Sequence, residues 1–183
     1  MNANGTLHQV GTGRLLLRFE RRFAHPPEKV WRALTETAEL AGWFPVSVLD
    51  FDPAPGARLR FDLTAEARRR MDIPADQDTV STGRITLADP PKVLEYTWDT
   101  EVLRWELTAD GAGGCVLVFT DTFDAPGEAP EFTETWAADM ASGWHVSFEV
   151  LAEHLEGHQV TWSVWDRAAE FHQQYLAAPP PTG

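Results

Sequence analysis

The sequence predicts an α+β fold in which a curved antiparallel sheet of about seven strands wraps around one long carboxy-terminal helix. Three observations predict it. Most of the chain before residue 124 alternates apolar and polar residues with period two, between turns short enough for hairpins. After Gly127 the apolar period changes to about 3.6. A Pro26-Pro27 corner after the first strand opens two short helices.

Residues 1–12, MNANGTLHQVGT, are polar and read as a flexible amino-terminal arm. Leu15, Leu17, Phe19 and Phe23 mark one face of the first strand. The two helices carry Val30, Trp31 and Leu34, then Leu40, Trp43 and Phe44, with Glu28 near the positive end of the first. VSVLDFD (46–52) is strand-like and ends at the turn Pro53–Gly56. In ARLRFDL, Leu59, Phe61 and Leu63 share one face. Residues 64–79 read as a long connection with one helical turn.

Strands resume with TVSTGRITL (79–87), and Asp89-Pro90-Pro91 marks a turn. KVLEYTW then places Leu94, Tyr96 and Trp98 on one face. Asp99-Thr100 connects tightly to EVLRWEL, where Leu103, Trp105 and Leu107 align. A Gly-rich turn leads to CVLVFTDTF, with Leu117, Phe119, Asp121 and Phe123 on one side. Trp136, Met140, Trp144, Phe148, Leu151 and Leu155 form a single stripe on a helix from about Phe132 to Glu156, stopped at Gly157. Such a helix is about 37 Å long and crosses a whole small sheet. The domain therefore spans 13–158, followed by a helical extension at 159–178 and a disordered tail at 179–183.

A strongly curved sheet cannot touch a straight helix everywhere. A gap is expected between them, walled by large inward rings. The candidate ligand-binding residues are Trp43, Phe61, Tyr96, Trp98, Trp105, Phe119, Trp144 and Phe148, with Asp121 and His145 as polar members. Asp121 shares strand parity with inward residues, and a buried carboxylate needs a partner or a raised pKa. His145 lies one step off the helical stripe, where it is either a proton carrier in the cavity or a boundary histidine bonded to a neighbouring element. Together they are the candidate catalytic pair.

Composition narrows the partners. The chain has 183 residues, 43% hydrophobic, with eight tryptophans and a formal net charge of -13. That charge disfavours nucleic acid and anionic membranes. Cys115 is the only cysteine, so no intrachain disulfide forms, which fits a cytoplasmic protein. No stretch is apolar enough to span a membrane, and the first dozen residues lack the pattern of a secretory signal. His154 and His158 have a spacing that can hold a metal on a helix, but Gly157 between them ends the shared face, so no metal and no cofactor is expected. Arg68, Arg69 and Arg70 read as a solvated run balanced by Glu66 and Asp72. No GxSxG elbow or phosphate loop is present.

FERRFAHPPEKVWRALTETAELAGWFP resembles the opening of the START-like helix-grip (SRPBCC) superfamily, in the branch of the activator of the heat shock protein 90 ATPase. PPKVLEYTW at 90–98, the Gly113-Gly114 turn and SGWHVSFEVLAEHLEG at 142–157 agree with it in order and spacing. The resemblance spans about 14 to 157. It implies a helix-grip fold and a cavity and leaves the contents of that cavity open; the ring-lined gap favours a small apolar or aromatic molecule. Members differ in task, so it also leaves open a polyketide-cyclase-like or hydrolase-like enzyme and a co-chaperone-like interaction module. These 183 residues are expected to hold no counterpart of the additional amino-terminal domain of the eukaryotic activator. An exposed face of Trp162, Trp165 and Tyr175 on the extension is a candidate homodimer seam.

Overall fold

The structure is a computed structural model that describes residues 4–125 and 130–177, with no side-chain description for residues 130–133. One antiparallel sheet of eight strands has the order β1-β2-β8-β7-β6-β5-β4-β3. It curves around a long helix in a helix-grip arrangement. The strands are β1 (Thr6–Gly11), β2 (Arg14–Phe23), β3 (Ser47–Asp50), β4 (Arg58–Asp62), β5 (Ser81–Asp89), β6 (Val93–Trp98), β7 (Glu101–Ala109) and β8 (Cys115–Asp124). Helices α1 (Pro27–Thr35) and α2 (Thr37–Leu40) follow β2, and α3 (Ala65–Arg70) is the helical turn of the long connection. Helix α4 (Pro130–Leu155) crosses the concave face, and α5 (Val164–Leu176) packs on α4.

The sheet has one strand more than expected because Thr6–Gly11 is not a loose arm. It pairs with β2, placing Leu7 opposite Leu17 and Gln9 opposite Leu15. Just before it, the Gly5 N–H donates to the Tyr175 hydroxyl at 2.7 Å. The glycine lies so close to the Phe19 ring that a Cβ there would strike it. The expected tail at 179–183 lies outside the described residues.

Period-two alternation produces the core directly. Leu15, Leu17, Phe19 and Phe23 of β2 are buried, as are Leu103, Trp105 and Leu107 of β7. Register places Trp105 opposite Phe119 and Leu107 opposite Leu117, so one apolar face runs continuously across β7 and β8. The stripe on α4 meets this face through Trp144, Phe148, Leu151 and Leu155. Helix α4 ends in a Schellman motif: Gly157 has φ 79°, its N–H donates to His154 O, and the His158 N–H donates to Glu153 O, both at 2.9 Å. Arg68 organises the connection that follows β4. Its guanidinium binds Asp62, Thr79 and the carbonyl oxygens of Pro74 and Gln77.

The back of α4 is covered as well. Asp139 pairs with His172 at 2.7 Å, and Glu149 accepts both Nε and Nη2 of Arg167 at 2.9 Å. These contacts run in opposite chain directions, so α5 lies antiparallel to α4. Arg167 also lies over Phe171, 4.4 Å from the ring centre. No described helix is long and apolar enough to cross a membrane.

Candidate functional site

A cleft of about 440 Å³ opens where the β6–β7 hairpin faces the first half of α4. Trp98 and Trp144 form its aromatic walls, and Pro45, Val46 and Met140 add apolar surface. Trp98 is fixed by stacking on Phe61 with ring centres 4.6 Å apart, and its Nε1 donates to Ser81 Oγ at 2.7 Å. Trp144 packs on Phe119 at 4.5 Å and meets Phe44 edge-on at 5.9 Å. Both walls are therefore preorganised by neighbours in the core.

The polar part of the cleft is acidic. Asp99, Glu101 and Asp139 line it, and no Lys, Arg or His is among its described lining residues. The tight turn holds Asp99 at φ 48°, a left-handed conformation that Asp tolerates better than most residues, and its carboxylate accepts the Thr82 N–H at 3.1 Å. Asp139 already has a partner in His172. Glu101 is the first residue of β7 and falls on the inward parity of Leu103 and Trp105.

Asp121 lies one layer behind this wall. It is fully buried, and its Oδ2 accepts Trp144 Nε1–H at 3.0 Å, while Oδ1 is buried without a hydrogen-bond partner. Register sets Asp121 opposite Leu103, which places Glu101 diagonally next to it on the same sheet face. Burial pushes the Asp121 carboxyl well above the usual carboxylate range, and the charge of Glu101 pushes it further. Burial, and then the charge of Asp99, lifts Glu101 to about 7. Two neighbouring carboxyl groups thus hold protons at pH values where exposed carboxyls have lost them.

The remaining predicted residues take other places. Trp43, Phe61, Tyr96, Trp105, Phe119 and Phe148 are buried and pack ring against ring. Trp105 and Phe119 lie 4.3 Å apart, Phe119 and Phe148 5.4 Å, and Trp43 and Trp105 6.0 Å. These rings pack against one another beneath the middle of the helix, and the cleft lies at one end. Of the predicted set, only Trp98 and Trp144 line the cleft.

His145 faces away from it. Its ring stacks on Phe171 of α5 at 3.7 Å and 13°, and Nδ1 lies 3.1 Å from the Tyr175 hydroxyl. Burial, aided by the positive charge of Arg21, lowers its pKa to about 4. Asp121 and His145 have different hydrogen-bond partners: Asp121 is bound to Trp144 and His145 to Tyr175. The same contact occupies the Tyr175 part of the expected dimer seam, leaving Trp162 and Trp165 partly exposed. His154 lies 2.7 Å from Glu39 and His158 3.2 Å from Glu153, so the two histidines serve different partners.

Two polar residues were not singled out from the sequence, although strand parity marks both. Glu101 alternates with Leu103, Trp105 and Leu107. Arg21 alternates with Phe19 and Phe23. The Arg21 guanidinium lies over Phe19 and Phe148, 4.8 and 5.2 Å from their centres, and its Nη2 is buried without a hydrogen-bond partner.

Comparison with known proteins agrees with this architecture. The family model described as "Activator of Hsp90 ATPase homolog 1-like protein" matches residues 24–156. A conserved protein of unknown function from Enterococcus faecalis superposes with a TM-score of 0.66 at 19% identity, covering 94% of this chain and 91% of its own. CalU16 from Micromonospora echinospora gives a TM-score of 0.64 at 14% identity, over 97% and 98% of the two chains. A protein from Mesorhizobium loti is 27% identical with a TM-score of 0.58, over 79% of this chain and 99% of its own. No curated protein sequence matches the chain. A helix-grip sheet closed by α4, and a family match that runs from the end of β2 to the end of α4, lead to one assignment: the chain belongs to the Activator of Hsp90 ATPase homolog 1-like family, within the START-like (SRPBCC) superfamily.

Proposed function

We propose that this protein binds a small apolar or aromatic molecule in the cleft between Trp98 and Trp144. The observation that carries the reading is the cleft itself. At about 440 Å³ it has the size of a small-molecule site, and two indole walls are held in place by core rings. A flat ring between them gains contact area without requiring the walls to reorganise. A thermal-shift screen of apolar and aromatic compounds against the full chain tests it. A binder raises the melting temperature logarithmically with concentration, and Trp98→Ala weakens that response. A screen without a stabilising compound, or hits whose effect survives Trp98→Ala unchanged, counts against this site.

The Glu101–Asp121 pair favours a second reading, acid–base chemistry in the same cleft. A carboxyl group that titrates near neutrality is suited to donate and recover a proton. This moves the candidate proton carrier from His145 to Glu101. It requires turnover of a bound compound that Glu101→Gln abolishes while binding persists.

A further inference from the structure

We propose that the ligand of this cleft carries a cationic amine, recognised by Glu101 beside the indole walls of Trp98 and Trp144. The inference rests on the small-molecule reading above and assigns the chemical class of the ligand.

Three features of the cleft converge on a cation. Asp99 and Glu101 line the cleft, and no basic side chain is among its described lining residues. Asp139 differs, because His172 reaches it from α5. Behind the wall, Asp121 is fully buried with an unpartnered Oδ1, held only through Trp144, which is itself a wall of the cleft. Burial keeps protons on these carboxyls, and a cation beside Glu101 favours its ionised form. The walls fit the same ligand: an indole face attracts an ammonium group, and a desolvated site strengthens the attraction.

An anion would meet like charges with no basic side chain among the described lining residues to offset them. A metal ion is a poorer match, since no cluster of His, Cys, Asp and Glu among the described residues has the geometry to hold one. A neutral ring fills the walls but leaves the carboxyls as they were. An aromatic or apolar amine satisfies both parts of the cleft at once: its body lies between the indoles, and its ammonium donates to Glu101.

A matched series of naphthalene compounds tests the inference with the full-length chain. The probes are 2-(1-naphthyl)ethylamine, 2-(1-naphthyl)ethanol and 1-naphthaleneacetate, which share the ring and differ in charge. Titration calorimetry gives the affinities, and the indole N–H resonances of Trp98 and Trp144 report where each probe sits. The amine is expected to bind about tenfold or more tighter than the alcohol and the acid. In the isosteric Glu101→Gln variant the preference falls to about threefold or less, while the alcohol's affinity changes by less than about twofold. Asp99→Asn, which keeps the turn residue's size, weakens the amine by a smaller factor. Equal binding of alcohol and amine, with both indole signals shifting, overturns the cationic assignment and leaves the cleft as an apolar site. Tighter binding of the acid overturns it in the same way. No shift of either indole by any probe at about 1 mM overturns the assignment together with the small-molecule reading. A preference for the amine that persists in Glu101→Gln contradicts the role of Glu101.

Discussion

Trp144 and His145 are consecutive on α4 and belong to opposite electrostatic environments. Trp144 turns toward the sheet, where it closes the cleft and holds Asp121. His145 turns toward α5, beneath Phe171 and beside Arg21 and Tyr175. On the sheet side the buried titratable groups are acids, and desolvation keeps protons on them. On the α5 side they include the bases His145 and Arg21, and desolvation keeps a proton off the histidine. The same physical cause acts with opposite sign because the charged form is anionic in one place and cationic in the other. The second region is covered by α5, whereas the first borders an opening. Only there can a ligand supply the missing countercharge.

The largest test of this contrast removes the wall between the two acids. Trp144→Ala is expected to cost about 3–5 kcal/mol of stability in urea unfolding. The ring packs against Phe119 and Phe148, and its loss leaves Asp121 without its hydrogen-bond donor. A cost below about 1 kcal/mol would show that the ring does not hold that side together.

The next two predictions use pH, and their signs differ. His145 has a folded pKa of about 4 against an ordinary 6.5, so between those values the unfolded chain binds a proton that the folded chain does not. Its contribution is complete above pH 6.5 and is lost as the pH falls to 4, amounting to about 3 kcal/mol. His145→Gln should remove that acid-side decline, measured as unfolding free energy across the window.

Glu101 acts the other way. Its pKa rises from 4.5 to about 7, so the folded chain keeps a proton that the unfolded chain releases, and stability falls as the pH rises through the window. The groups facing it are Asp99 and Asp121, with Asp139 on the opposite wall, all acidic. Glu101→Gln is therefore expected to gain about 3 kcal/mol relative to the native chain above pH 7 and nothing below pH 4.5. A variant that loses stability at high pH would mean that Glu101 already has a cationic partner. The smallest effect is expected away from both regions: Arg70→Ala removes a cation 5.4 Å from the Trp165 ring and costs about 0.5 kcal/mol.

The fold was legible because its strands state their faces. Leu103, Trp105 and Leu107 alternate, and so do Leu117, Phe119, Asp121 and Phe123, and each set is buried where parity put it. The strand β1 was not legible for the same reason in reverse. Thr6–Gly11 buries little on either side, so no alternation marks it. Its order comes from pairing with β2 and from the Gly5–Tyr175 hydrogen bond, partners separated from it by up to 170 positions.

The site was legible in part. The indoles Trp98 and Trp144 and the buried Asp121 followed from period and parity. Which rings border empty space did not, since that depends on how Trp105, Phe119 and Phe148 fill the middle of the grip. His145 was ambiguous in the sequence because its position on the helix fits a cavity or a covering element equally well. The geometry of α5, with Phe171 stacked on the imidazole, resolves it.

One titration addresses the central claim, that the ligand side of α4 is the Trp144 side and not the His145 side. The full chain, labelled so that the Trp144 indole N–H and the His145 ring are both resolved by NMR, is titrated with 2-(1-naphthyl)ethylamine at pH 7.5. The prediction is a saturable shift of Trp144 with His145 unmoved. A saturable shift of His145 with Trp144 unmoved would contradict it.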